Sequence, residues 1–140
     1  MSEALTQDDF LGGKIKVWQP RRGYRAGVDP VILAASVPAK PGQSVLELGC
    51  GVGVASLCLA ARVPDLRVTG VELQADYAAL AQRNGVENGQ QFDVITADLR
   101  DLPADLRQKR FHHVMMNPPY FDRTVGTASA DTGKDIAFGG

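Results

Sequence analysis

The glycine-rich segment 45–55, VLELGCGVGVA, constrains the fold more than any other part of this sequence. Its first four residues fit a buried parallel strand, and an apolar helical pattern begins directly after the glycines. Glycine allows a sharp turn with positive φ, and the first amides of the following helix have no partner within the helix. The segment therefore predicts a ligand cradle that contains Gly49, Gly51 and Gly53, although a purely structural tight turn is the alternative.

Glu47, two residues before the first glycine, limits the class of ligand. A carboxylate at the end of the strand would repel the pyrophosphate of a dinucleotide, and Val54 stands where that motif has its third glycine. No Lys-Ser or Lys-Thr pair follows, so the segment is not a P-loop. A ligand with positive charge beside an adenosine would suit Glu47, and S-adenosylmethionine carries both an ammonium and a sulfonium group.

The segment resembles the first motif of class I methyltransferases, and two later acids fit the same interpretation. Glu72 ends the predicted strand 67–71, about 20 residues beyond the glycines, where an acid can accept hydrogen bonds from both ribose hydroxyls. By the resemblance, Asp98 receives the adenine amino group, and the neighbouring Leu73 and Leu99 belong to the same cofactor site. The alternatives are an unrelated acid at a strand end for Glu72 and a turn or helix-capping role for Asp98.

The tetrapeptide Asn117-Pro118-Pro119-Tyr120 indicates the reaction, because it follows a predicted buried strand at 111–116. The prolines remove two amide donors and leave carbonyls free to accept. Hydrogen bonds from a planar NH2 group to the Asn117 side chain and the Pro118 carbonyl would direct the nitrogen lone pair toward a methyl carbon, and Tyr120 would stack on the base. We therefore predict these four residues as catalytic.

From Phe10 through Phe121 the chain resembles class I methyltransferases of the N-P-P-Y amino group. Residues 9–35 are most similar to bacterial adenine-N6 methyltransferases that modify a tRNA(Val) adenine. This resemblance implies S-adenosyl-L-methionine as the cofactor, RNA as the partner, in particular tRNA, and a position for Gly27 and Asp29 near the methionine end of the cofactor. An N-capped helix alone also explains Asp29. Glutamine-N5 methylation of a protein, or a cofactor-binding module without turnover, are the alternative functions.

The resemblance implies an α/β fold, a Rossmann-like class I methyltransferase fold with a partial sheet in the strand order 3-2-1-4, and the sequence adds an N-terminal hairpin. The strands, numbered along the chain, are predicted at 45–48, 67–71, 92–96 and 111–116. We divide the chain into a hairpin and loop at 1–28, a cofactor-binding core at 29–121, and a disordered tail at 122–140. Residues 1–9 are polar, so we expect them to be frayed.

The family has a seven-stranded sheet, so the resemblance implies that the chain is the N-terminal portion of such an enzyme. The apolar edge of its fourth strand is then expected to be unpaired and open to self-association. We also expect weakened cofactor binding with little turnover.

Composition adds few constraints. A length of 140 residues with 44% hydrophobic content suits one domain, and a net charge of −1 gives no general attraction to nucleic acid. RNA would need a local patch, for which the arginine-rich loop 20–27 is a candidate, with a solvated loop as the alternative. Cys50 and Cys58 are interpreted as buried apolar residues, His112 and His113 cannot share a metal, and the lack of a membrane or signal segment predicts a cytoplasmic protein.

Overall fold

A computed structural model describes residues 4–21 and 29–116. The predictions for Gly27, for the tetrapeptide 117–120 and for the tail 122–140 lie outside these residues. The strands are β1 Leu5–Phe10, β2 Ile15–Pro20, β3 Ser44–Leu48, β4 Arg67–Glu72, β5 Phe92–Thr96 and β6 His113–Met116. The helices are α1 Asp29–Ser36, α2 Val54–Arg62, α3 Ala75–Glu87 and α4 Ala104–Gln108.

The central element is a parallel sheet with the strand order β5-β4-β3-β6. This order confirms the predicted arrangement 3-2-1-4. All four strands run in the same direction, so their carboxyl ends lie along one edge, which we call the ligand edge because parallel α/β sheets bind ligands there. In the register of the sheet, Leu48 lies between Val71 and Met116 at this edge.

The two faces of the sheet bury separate apolar clusters, as the alternation of side chains along a strand requires. The larger cluster contains Val45 of β3 and Val68 of β4 together with Leu57 and Leu59 of α2 and Leu80 of α3. The smaller one joins Leu46 and Val71 to Leu106 of α4. Helices α2 and α3 therefore cover one face, while α4 covers the other.

Within the segment 1–9, which we expected to be frayed, the structure corrects this expectation for residues 5–9, which belong to the N-terminal hairpin. Strand β1 pairs antiparallel with β2, from Leu5 opposite Pro20 to Phe10 opposite Ile15. Two polar side chains of β1 have partners within the hairpin, because Asp8 Oδ2 accepts hydrogen bonds from Thr6 Oγ1 at 2.9 Å and from Gln19 Nε2 at 2.7 Å. On β2, Ile15 and Val17 are buried in the larger cluster. This burial fixes the hairpin to the core.

Strand β6 is less buried than the sequence predicts. It begins at His113 instead of Phe111, Met115 is buried, and Val114 is 60% exposed. Within the described part of the chain, β6 has only β3 as a neighbour. The predicted self-association through this edge stays a prediction.

The two histidines at the start of β6 have structural partners. His112 Nδ1 accepts from the Ser44 amide at 3.0 Å, and His113 Nε2 lies 2.9 Å from Gln43 Oε1. Among residues 4–21 and 29–116, no group of His, Cys, Asp and Glu side chains could hold a metal ion. None of the helices over these same residues has the length and apolar character needed to cross a membrane.

Candidate cofactor-binding site

The turn that follows β3 has the conformation that its glycines predict. Gly49, Gly51 and Gly53 have φ values of 73°, 57° and 98°, in the left-handed region where other residues are strained. The amides of Gly49 and Cys50 both donate to the Val71 carbonyl, at 2.8 and 3.0 Å. The turn is therefore fastened to the end of β4, directly at the ligand edge.

The start of α2 lies close to Phe92, and this contact requires glycine at position 53. A Cβ atom there would lie 2.8 Å from Phe92 Cε2. The ring has little room to move, since a Cβ at Gly70 would lie 2.9 Å from it, and a Cβ at Gly85 would lie 3.1 Å from the Cβ of Phe92.

We predict that Gly53→Ala destabilises the chain more than Gly42→Ala does. Gly42 also has positive φ, 82°, but a Cβ there would meet nothing within 4 Å, so this control measures backbone strain alone, about 1–2 kcal/mol. Gly53→Ala adds the collision with Phe92, which costs about 1–3 kcal/mol more. Urea unfolding measures both variants, and equal losses of unfolding free energy would show that Phe92 can move aside.

Glu72 is held at the ligand edge by two backbone amides. The Gly51 amide donates to Oε1 at 2.9 Å, and the Gln74 amide donates to Oε2 at 2.9 Å. The residue is 8% exposed, so it is nearly buried. A carboxylate can accept about four hydrogen bonds, so each oxygen keeps a free acceptor position. The carboxylate of Glu72 can therefore accept from two further hydroxyl groups without changing its orientation.

Glu47 is buried in the sheet and bonds to α2. It lies in β3 beside Gly70 and is 2% exposed, and Ser56 Oγ donates to its Oε1 at 2.6 Å. Burial raises the pKa of Glu47 to about 8, against the smaller effect of the Ser56 hydrogen bond, which lowers it. At neutral pH the carboxyl group is therefore mostly protonated in this structure. Ionisation would require a nearby positive charge.

Ser56 is a site residue that the sequence analysis did not identify. It lies in the first turn of α2, whose buried residues are otherwise apolar. A single hydroxyl on such a buried helical face was the available signal, because a buried hydroxyl needs a hydrogen-bond partner.

The two cysteines have no features of a nucleophile. Burial raises the pKa of Cys58 to about 11, and it raises that of Cys50 further, so both thiols stay protonated at neutral pH. The prediction that both are buried apolar residues is confirmed.

Asp98 forms a turn with Arg100. Its Oδ1 accepts from the Arg100 amide at 2.9 Å, and Arg100 Nη2 lies 3.0 Å from Oδ2. The side-chain hydrogen bonds from Arg100 hold the pKa of Asp98 below its usual range. These bonds correspond to the turn role that we gave as the alternative. A contact of Asp98 with an adenine amino group stays a prediction.

The leucines after the two acids differ in exposure. Leu73 follows Glu72 and is 63% exposed, so it offers an apolar surface at the ligand edge. Leu99 is partly buried in the smaller cluster.

Most of the predicted site residues that lie within the described ranges are found together at the ligand edge. Glu72 bonds to the glycine turn through Gly51, and its carbonyl accepts from the Ala97 amide at 3.1 Å, next to Asp98. Asp29 begins α1, which packs on α2. Glu47 does not lie at the open edge, because its side chain is buried in the interior and bonds to Ser56.

A parallel sheet with a glycine turn after its first strand and an amide-bound acid at the end of its second defines a Rossmann-like fold with a site for an adenosine-containing ligand. Comparison with known proteins identifies the class as that of the methyltransferases. The sequence profile of the methyltransferase small domain matches residues 27–134. The chain belongs to the methyltransferase small domain family.

Two curated relatives are tRNA1(Val) (adenine(37)-N6)-methyltransferases. The protein from Photorhabdus laumondii is 32% identical over 86% of this chain and 50% of its own length. The protein from a Flavobacteriaceae bacterium is 31% identical over 92% of this chain and 56% of its own length. The chain therefore spans about half the length of the curated relatives that it matches.

A solved structure shows the same fold at lower identity. The Pyrococcus abyssi tRNA (uracil-54, C5)-methyltransferase, in complex with S-adenosyl-L-homocysteine, superposes with a TM-score of 0.63 and 20% identity. The match covers 85% of this chain and 29% of that protein.

Proposed function

We propose that this chain carries the cofactor-binding half of an S-adenosyl-L-methionine-dependent methyltransferase that modifies an adenine N6 amino group in RNA, in particular tRNA. The observation that carries the proposal is the Glu72 carboxylate, which Gly51 and Gln74 orient beside the glycine turn with two acceptor positions free. A pair of ribose hydroxyls fits this geometry, since each hydroxyl can donate to one oxygen.

The other residues of the site suit the remaining parts of the cofactor. The exposed Leu73 can pack on the face of an adenine ring. The backbone at Gly51 allows close approach because no side chain stands in the way. Near the positive end of the cofactor, Glu47 could ionise and balance the charge, because an opposite charge lowers the pKa of a buried acid. When bound, the cofactor supplies an electrophilic methyl group on a sulfonium sulfur.

Support for an amino-group acceptor comes from the sequence that follows β6. This strand ends at Met116, beside Leu48 and thus at the ligand edge, and the next residues in sequence are Asn117, Pro118, Pro119 and Tyr120. Their acceptors suit the two protons of a planar NH2 group. No strong general base is needed before transfer, since the proton becomes acidic as positive charge develops on nitrogen.

Support for RNA comes from the relatives, two of which are tRNA methyltransferases with about 30% identity to this chain. Glutamine-N5 methylation of a protein remains the second candidate, because the same tetrapeptide suits any planar NH2 group.

The test is methyl transfer from radiolabelled cofactor with the chain in excess over acceptor, so that slow transfer is detected. Parallel reactions contain unmodified tRNA or a peptide with a Gly-Gly-Gln sequence. We expect label in tRNA, recovered as N6-methyladenine. Label in the peptide alone would favour the glutamine reaction. No label in either reaction, with cofactor binding intact, would favour a binding module without turnover.

A further inference from the structure

Asn84 in α3 and Asn88, which caps the C-terminus of that helix one turn later, both bind the main chain of β2. The Trp18 amide donates to Asn84 Oδ1 at 2.8 Å, and Asn84 Nδ2 donates to the Trp18 carbonyl at 3.0 Å. One turn later, Asn88 makes the same pair of bonds with Lys16, at 3.1 and 2.8 Å. Alternate residues of β2 direct their amides and carbonyls away from β1, so the two carboxamides take the place of a neighbouring strand.

Only Asn84 also contacts the glycine turn. The second hydrogen of its Nδ2 goes to the Val52 carbonyl at 2.9 Å, and the residue is 0% exposed. Both donor hydrogens and the acceptor oxygen of Asn84 are thus used. Asn88 gives its second hydrogen to the Asn84 carbonyl within α3. The two asparagines therefore hold the hairpin in the same way but differ in whether they reach the turn.

The Val52 carbonyl is part of the same turn that supplies the Gly51 amide to Glu72. Hydrogen bonds, together with the covalent backbone of Gly51 and Val52, therefore connect Trp18 through Asn84 to the carboxylate that we assign to the ribose.

We propose that Asn84 is a positioning residue that couples docking of the N-terminal hairpin to the cofactor-binding conformation of the glycine turn. The inference rests on the proposed function, since it concerns the same cofactor site. Asn84 does not touch the cofactor; it holds the Val52 carbonyl and thereby limits the orientations of the neighbouring Gly51 amide. Because coupling between two binding equilibria is reciprocal, cofactor binding must then stabilise the docked hairpin by the same amount.

The test compares Asn84→Ala with Asn88→Ala, which removes the same kind of hairpin bonds but no bond to the turn. Calorimetry measures the affinity for S-adenosyl-L-homocysteine, and Trp18, the only tryptophan of the chain, reports hairpin docking by its fluorescence. We expect both variants to loosen the hairpin. Asn84→Ala should weaken binding roughly tenfold, within the usual range of coupling energies. Asn88→Ala should change it by no more than about twofold.

Hydrogen exchange of the unaltered chain gives an independent test if Asn84→Ala does not fold. Saturating S-adenosyl-L-homocysteine should slow exchange of the Trp18 amide, which donates to Asn84, more than exchange of the Lys16 amide, which donates to Asn88. Equal protection of both amides, or equal loss of affinity in both variants, would overturn the inference. Failure of the unaltered chain to bind S-adenosyl-L-homocysteine at all would instead contradict the proposed function.

Discussion

Replacing Glu72 by Gln is expected to weaken S-adenosyl-L-homocysteine binding by roughly 10- to 100-fold, because hydrogen bonds to a charged group contribute about 1.5–3 kcal/mol each. Glutamine keeps one acceptor oxygen and gains an NH2 group. Whichever way the side chain lies, that NH2 group faces either the Gly51 amide or the Gln74 amide, both of which are donors. One amide thus loses its partner, and one ribose hydroxyl loses its acceptor.

Asp93→Asn is the matched control for this variant. It removes the same charge from an exposed position in β5. Asp93 lies three residues before Thr96, which pairs with Glu72 at the ligand edge. Calorimetry at constant pH and salt should show nearly unaltered affinity for the control. If Glu72→Gln binds as well as the unaltered chain does, the ribose contact is wrong.

The second large effect concerns Glu47 and pH. In the unfolded chain this acid titrates near 4.5, whereas in the folded chain burial raises its pKa to about 8. Between these values the folded state holds a proton that the unfolded state has lost. Its unfolding free energy therefore falls as pH rises from about 4.5 to about 8, by an amount on the order of a few kcal/mol from this residue.

Glu47→Gln should remove this dependence. The glutamine oxygen can still accept from Ser56, and the side chain carries no titrating group, so the variant should equal the unaltered chain near pH 5 and exceed its stability near pH 8. Urea unfolding at several pH values measures the difference. Asp93→Asn again controls for net charge. Parallel pH profiles for Glu47→Gln and the unaltered chain would mean that Glu47 is ionised in the fold.

The parts of the fold that the sequence predicts are those with local signals. The glycines at 49, 51 and 53 permit the positive φ values that the turn adopts, and the apolar runs beside them indicate buried strands, whereas the strand order was implied by the family resemblance. Strand β1 gave no such signal, because its polar Asp8 is paired across the hairpin with Gln19. A partner of this kind is defined only once the two strands are adjacent.

The same distinction applies to the candidate site. The position of Glu72 at the end of β4 followed from its distance to the glycines, but its bond to the Gly51 amide did not. The contact of Ser56 with Glu47 and that of Asn84 with Trp18 join residues on different elements, so the sequence could indicate at most that a buried polar side chain needs a partner, and not which partner it has. The division of the chain into three regions, and the roles of the predicted site residues, stay predictions.

The attachment of the hairpin has a consequence for how this part of the sequence can vary. Asn84 bonds to the main chain of Trp18, and Asn88 bonds to the main chain of Lys16. These bonds therefore do not depend on which side chains stand at positions 16 and 18. Proline is the exception, because it has no amide hydrogen to donate. Homologous chains could therefore carry very different outward-facing residues on β2, while the hairpin stays in the same place relative to the glycine turn.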